Sequence, residues 1–376
     1  MFSRQVVSLI VFLSLTFCAP LLRADTKETM HLVYAALTEL LPLALNADGF
    51  EDDETRNRMT TSLDLLERSA VELESHAGGM EFRSLARSFH SNVVLLKNTL
   101  RFDRIYEFNY LALDLTQNCI SCHARLPESR VMDFSSNLTD KVAEQLVSPV
   151  DLAQLQIATR QFDGALNTLS EMILDPAIEP VDLELQGVLF DYLLVAVTRA
   201  DFLEPALKVL DDFTARPDAP YYMKHYARTW ADHLKGLSAR VGKESGVEFG
   251  RALFDESLNL SPLPTSQVRL VYDLMAAQVL RGALDSGTEL SNLQKAEIYW
   301  MLAAISIRSV NPRPGVPHTE LLLDAAIRNA PGSEFAKDAY AILEEYNRVS
   351  FAGIPVAELP EPVLDLEALK RLAGIE

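Results

Sequence analysis

Apolar residues recur three and four positions apart along almost the whole of this chain, the spacing that lines up one face of an α-helix. The fold class it predicts is all-α. In the first such segment, from about Lys27 to Asn46, the stripe is Met30, Val33, Leu37, Leu40 and Ala44, with Asp25 as N-cap and Glu28 three residues on. Pro42 lacks the N–H that the helix ladder needs and is expected to kink this helix or end it near Leu41. A second helix is expected from about Asp53 to His76, stopped by Gly78-Gly79. The third begins near Met80 and buries Phe82, Leu85, Ala86, Phe89, Val93 and Leu96. One helix running on to Leu126 would exceed the usual globular length, so a turn is expected between about Lys97 and Asp103. The fourth helix turns Phe108, Leu111 and Leu115 inward and stops at Pro127. Short connections make neighbours antiparallel, so residues 25–130 are expected to form an up-down-up-down four-helix bundle.

Late in that fourth helix stands Cys119-Ile120-Ser121-Cys122-His123, and what such a motif can do depends on its compartment. The chain opens with Arg4, an apolar run from Val6 to Phe17, and the small residue Ala24 before an acidic polar segment. That is the layout of a secretory signal peptide, residues 1–24, cleaved after Ala24. A lipoprotein signal at Cys18 would want a small residue where Phe17 stands. The apolar run is short of the ~20 residues a membrane helix needs and no later stretch approaches it, so an integral membrane segment is not expected after cleavage. The mature protein is expected in the periplasm. Losing residues 1–24 removes Cys18, Arg4 and Arg23 and no acidic residue, which leaves two of three cysteines and takes the formal charge from −19 to −21. Both remaining cysteines lie in the motif.

Two cysteines exclude a disulfide framework, and a structural zinc would lack ligands beyond Cys119, Cys122 and at most His123. A thioredoxin-like redox pair belongs beside a βαβ pattern, which a helical chain does not offer. The pattern matches covalent attachment of one haem c: the two thiols form thioethers with the porphyrin vinyl groups and His123 ligates the iron. Cys119 and Cys122 continue the face begun by Phe108, Leu111 and Leu115, so both thiols are expected to point inward, with His123 on the adjoining strip.

Four amphipathic helices in about a hundred residues, with one Cys-x-x-Cys-His late in the fourth, resemble the class II c-type cytochromes, cytochrome c-prime and its low-spin relatives, over roughly residues 25–130. The resemblance implies a four-helix haem bundle with Cys119 and Cys122 at the thioether positions and His123 as proximal ligand. Antiparallel packing brings the start of the first helix beside the end of the fourth, which puts Met30 near the haem face opposite His123. Low-spin relatives place a methionine there, making a six-coordinate iron of raised potential suited to electron transfer. Cytochrome c-prime itself leaves the site apolar and open to small gases. Met30 is also well suited to filling a core gap. The alternatives for a sixth ligand are His31, which points about 100° off the stripe, and His76, at the haem end of the second helix. His90 lies too far along the bundle. Arg83, Arg87 and Arg125 are candidates for pairing with haem propionates or simply solvated helix charges. All the haem contacts named fall between residues 25 and 130, so this domain is expected to hold its cofactor alone.

After Pro127 the composition changes. Residues 131–150 are expected to be a linker with one short helix, and 151–376 a second helical unit. The stretch DLAQLQIATRQFDGALNTLSEMILDP, with Leu152, Ala153, Phe162, Ala165, Leu169 and Met172 and a closing Pro176, resembles a tetratricopeptide helix pair with a shortened turn. AEIYWMLAAI repeats the first-helix pattern in Tyr299, Leu302 and Ala303; Ala326 and Pro331 mark a repeat end, and residues 181–240 hold two or three more long helices. No period of 34 runs through, so the tetratricopeptide-like (TPR-like) repeats are degenerate. His225, His233 and His318 are ordinary histidines rather than a site.

Stacked helical repeats make curved surfaces that bind protein partners. Strong acidity argues against nucleic acid and anionic membranes and suits steering toward a basic redox partner. The expected function is one-electron transfer by an exported monohaem cytochrome whose repeat domain docks a partner, with no catalytic residues. The alternatives are a five-coordinate haem that binds or senses gases, and a haem-containing scaffold or assembly factor.

Overall fold

The computed structural model describes residues 26–45, 50, 52–75, 80–123, 148–198, 202–261, 263, 266–286, 289–308, 319–350 and 365–375. Residues 1–24, read as a signal peptide, and Asp25, His76, Gly78-Gly79, Arg125, Pro127, most of the expected linker and His318 lie outside the described residues. Within them the fold is all-α, with no β-strand.

Helices α1 (Thr26–Leu45), α2 (Asp53–Ser75), α3 (Met80–Arg101) and α4 (Ile105–His123) pack in chain order, and α4 returns to α1. Their inward faces are those the periodicity marks: Val33, Leu37, Leu40 and Ala44 from α1, Leu85, Ala86, Phe89, Val93 and Leu96 from α3, and Phe108 and Leu115 from α4 are buried, with Met30, Phe82 and Leu111 half-buried beside them. Asp52 caps α2, its carboxylate accepting from the Thr55 N–H at 2.8 Å and the Thr55 hydroxyl at 2.7 Å. The α3–α4 turn falls at residues 102–104, where Asp103 takes a left-handed φ of 54°. Pro42 neither ends α1 nor stops its burial: the helix runs on to Leu45, with Leu40, Leu41 and Ala44 all buried. Packing of those three side chains outweighs the one backbone bond that proline removes.

The second unit comprises α5 (Pro149–Ala158), α6 (Phe162–Leu174), α7 (Pro180–Leu185), α8 (Val188–Thr198), α9 (Leu203–Ala215), α10 (Tyr221–Ser238), α11 (Gly246–Leu260), α12 (Leu270–Asp285), α13 (Asn292–Arg308), α14 (Thr319–Asn329), α15 (Glu334–Ser350) and α16 (Leu366–Ala373). Successive helices pack as pairs: α5 on α6, α9 on α10, α11 on α12, α13 on α14. Buried arginines tie the turns to the core. The Arg216 guanidinium donates to the carbonyls of Ile173 and Ile178, both at 2.7 Å, and pairs with Asp218.

The boundary between the units is less simple than a linker. Helix α5 begins at Pro149, inside the stretch expected to be linker, and it packs on α4. Leu155 of α5 is buried in the core of α1–α4, whereas Ile120 of α4 is buried in the core of the second unit. Gln117 Nε2 donates to Gln154 Oε1 at 2.9 Å across the same seam. Farther along, α14 packs on α3. The two units therefore share buried surface where the Cys-x-x-Cys-His motif sits.

Candidate functional site

One end of the four-helix unit holds an apolar cavity. Its wall is Met30 and Val33 from α1, Leu73 from α2, Phe82, Leu85, Ala86 and Phe89 from α3, and Asn118, Cys119, Cys122 and His123 from α4. The start of α1, the end of α2, the start of α3 and the end of α4 meet here, as antiparallel packing requires. The four residues singled out in the sequence, Met30, Cys119, Cys122 and His123, thus face one space.

The other candidates that fall among the described residues are not in its wall. His31 is exposed on α1. His76 lies outside the described residues. His90 Nδ1 hydrogen-bonds Glu74 Oε1 at 2.8 Å, and Arg87 stands 4.0 Å from the same carboxylate, so both have partners outside the cavity. Arg83 is exposed.

The motif's side chains have a specific chemical state. Cys119 and Cys122 are not joined in a disulfide. Burial pushes the Cys119 thiol up to about 12, only partly offset by a backbone hydrogen bond. Redox-active thiol pairs work through depressed pKa values, so this environment disfavours a thioredoxin-like role. Among the described residues no group of three His, Cys, Asp or Glu side chains converges on an ion, the arrangement a structural zinc needs.

His123 is held by a residue outside the expected domain. Its Nδ1 lies 2.6 Å from the carbonyl oxygen of Ala158. The reason is local to α5. At a helix end the last four carbonyls have no intrahelical partner; here those of Leu155, Gln156 and Ile157 accept from Thr159, Gln161 and Arg160 as the chain turns through Arg160 at φ 63°. The Ala158 carbonyl serves the imidazole. A carbonyl only accepts, so Nδ1 carries the proton and Nε2 keeps its lone pair. Burial, and then the nearby Arg160 charge, pull the His123 pKa down to about 4 against the opposing pull of that carbonyl. A neutral imidazole with a bare, oriented Nε2 is the state that ligates metals. The expectation that residues 25–130 hold the site alone therefore meets a difference: the orienting acceptor comes from the second unit.

The residue types present suit a haem. Its faces need apolar walls, its vinyl groups need two thiols, and its iron needs an unprotonated imidazole nitrogen; the cavity presents all three. It also presents one group that the sequence reading did not single out. Asn118 is 4% exposed, its Nδ2 is buried without a hydrogen-bond partner, and its signal was a polar residue on an otherwise apolar face beside Cys119.

Comparison with protein-family models, with curated proteins and with solved structures gives no match.

Proposed function

We propose that this chain is an exported monohaem c-type cytochrome that transfers single electrons, a four-helix haem bundle followed by a TPR-like helical domain that docks a protein partner. The supporting observation is that Met30, Cys119, Cys122 and His123 line one apolar cavity. Cys119 and Cys122 would hold the cofactor by adding their S–H bonds across its two vinyl groups, a redox-neutral step in which sulfur joins one carbon and hydrogen the other. His123 would ligate through Nε2, oriented by Ala158, and Met30 would supply a thioether at the sixth position. Bound there, haem supplies a one-electron couple whose potential a Met/His pair raises. The chain's own contribution is to keep water away: Val33, Leu73, Leu85 and Phe89 offer the iron no competing ligand. Acidity suits a basic partner. Among the described residues no helix is long and apolar enough to cross a membrane.

The test is an optical spectrum of protein expressed into the periplasm, in both oxidation states, with and without carbon monoxide. The carrier reading expects a low-spin spectrum that changes little with the gas, and Met30→Ala that binds it rapidly and has a lower potential. Wild type that binds carbon monoxide readily, with Met30→Ala no different, would make Met30 a core residue and favour the gas-binding alternative.

A further inference from the structure

Among the described residues, and apart from the motif itself, Asn118 is the one polar side chain in the wall of the cavity. It is deeply buried, and it is anchored: Ser88 Oγ on α3 donates to its Oδ1 at 3.3 Å. That contact uses the carbonyl half of the amide and leaves Nδ2 buried with nothing to donate to. A buried donor left unmade costs about 1–3 kcal/mol, so an apolar residue would stabilise the unfilled fold better. An acceptor for it has to lie across the cavity or come with whatever occupies it.

We propose that Asn118 tunes the sixth coordination position, its Nδ2–H donating to the acceptor atom held there: the Met30 sulfur in the intact protein, or the outer atom of a small ligand when Met30 is removed. This rests on the cytochrome reading. Both acceptors share one chemistry, a lone pair on the ligand side of the iron. The physical consequence has a sign. The positive end of the N–H dipole beside the ligand weakens its donation to oxidised iron and stabilises an added electron, so Asn118 raises the reduction potential. With carbon monoxide bound, the same dipole draws electron density into the antibonding orbital of the gas and lowers its stretching frequency.

The experiment uses full-length, haem-loaded protein matured in cells that make other c-type cytochromes. Asn118→Leu keeps the volume and removes the donor; loading is checked by haem retention after denaturation and folding by circular dichroism. The potential should fall relative to wild type. In the Met30→Ala background, adding Asn118→Leu should move the carbon monoxide stretch to higher frequency. The first readout tests the Met30 acceptor and the second the small ligand. Loaded Asn118→Leu with potential and stretch both unchanged overturns the proposal, and a stretch that moves to lower frequency does so too, because it puts the amide oxygen toward the ligand. Should Asn118→Leu fail to load, Ser88→Ala in the Met30→Ala background leaves the amide but releases its anchor. A broadened or shifted stretch there supports the proposal and an unchanged one overturns it. Wild type that carries no haem defeats the cytochrome reading itself, before Asn118 is altered.

Discussion

Leu155 belongs by sequence to the second helical unit and by packing to the first. It is 4% exposed and sits in the core built by α1–α4, while the helix that carries it also packs on α6. Leu155→Ala removes buried methyl groups there, which costs about 2–5 kcal/mol. A neighbouring cavity lined by Leu41, Leu45, Leu113 and Thr116 already reaches Leu155, so the loss enlarges a void that these side chains have not closed, and about 3 kcal/mol is a fair working figure. At 1.4 kcal/mol per factor of ten that is roughly a hundredfold in the local opening equilibrium. Hydrogen exchange followed by mass spectrometry resolves it by position. Peptides from α2, α3 and α4 should lose protection in Leu155→Ala, although the substitution lies some thirty residues beyond the end of α4. Leu169→Ala, equally buried but wholly within the second core, should act first on peptides from α5 to α8. If Leu155→Ala leaves α2 to α4 as protected as in wild type, the shared seam is not a stabilising contact and the two units are independent.

Two further outcomes test the packing of the second unit. Burial holds the Tyr192 hydroxyl protonated up to about 12, against 10 for an exposed tyrosine. The unfolded chain ionises first, so this residue costs stability as pH rises from about 10 to about 12, and Tyr192→Phe should unfold less readily than wild type in that window, by on the order of 2 kcal/mol, with the difference shrinking below pH 10 in urea titrations. At Gly250, where α11 meets α12, an added Cβ would come 2.5 Å from Leu280 Cδ2; Gly250→Ala should destabilise by about 1–3 kcal/mol in urea denaturation, and Leu280→Ala in the same chain should recover part of it.

The inward faces of α1, α3 and α4 were legible because each buries a single stripe, and a 3.6-residue period marks such a stripe without any knowledge of its neighbours. The α3–α4 turn was legible from length alone. Met30 and the motif meet because antiparallel order brings the ends of α1 and α4 together, a consequence of short connections. The role of α5 was not legible in the same way. Val150, Ala153, Leu155, Ile157 and Ala158 are all buried, so this helix is apolar around most of its circumference and its periodicity names no side. The Ala158 acceptor was invisible for a different reason: a carbonyl left over at a helix end belongs to every residue type equally, and its partner lies 35 residues away. Helix α1 does not end near Leu41, one of the two outcomes expected of Pro42, because the burial of Leu40, Leu41 and Ala44 around it is not visible from the local cost alone.

The central claim is a covalent bond between this chain and a haem at Cys119 and Cys122. Full-length protein matured in a periplasm that makes c-type cytochromes should be unfolded in denaturant, separated from small molecules, and examined by mass spectrometry and haem absorbance. The account predicts that haem stays with the unfolded wild-type chain and is absent from the chain carrying both Cys119→Ser and Cys122→Ser. Haem that leaves the wild-type polypeptide on denaturation, or that never accompanies it, would contradict the account.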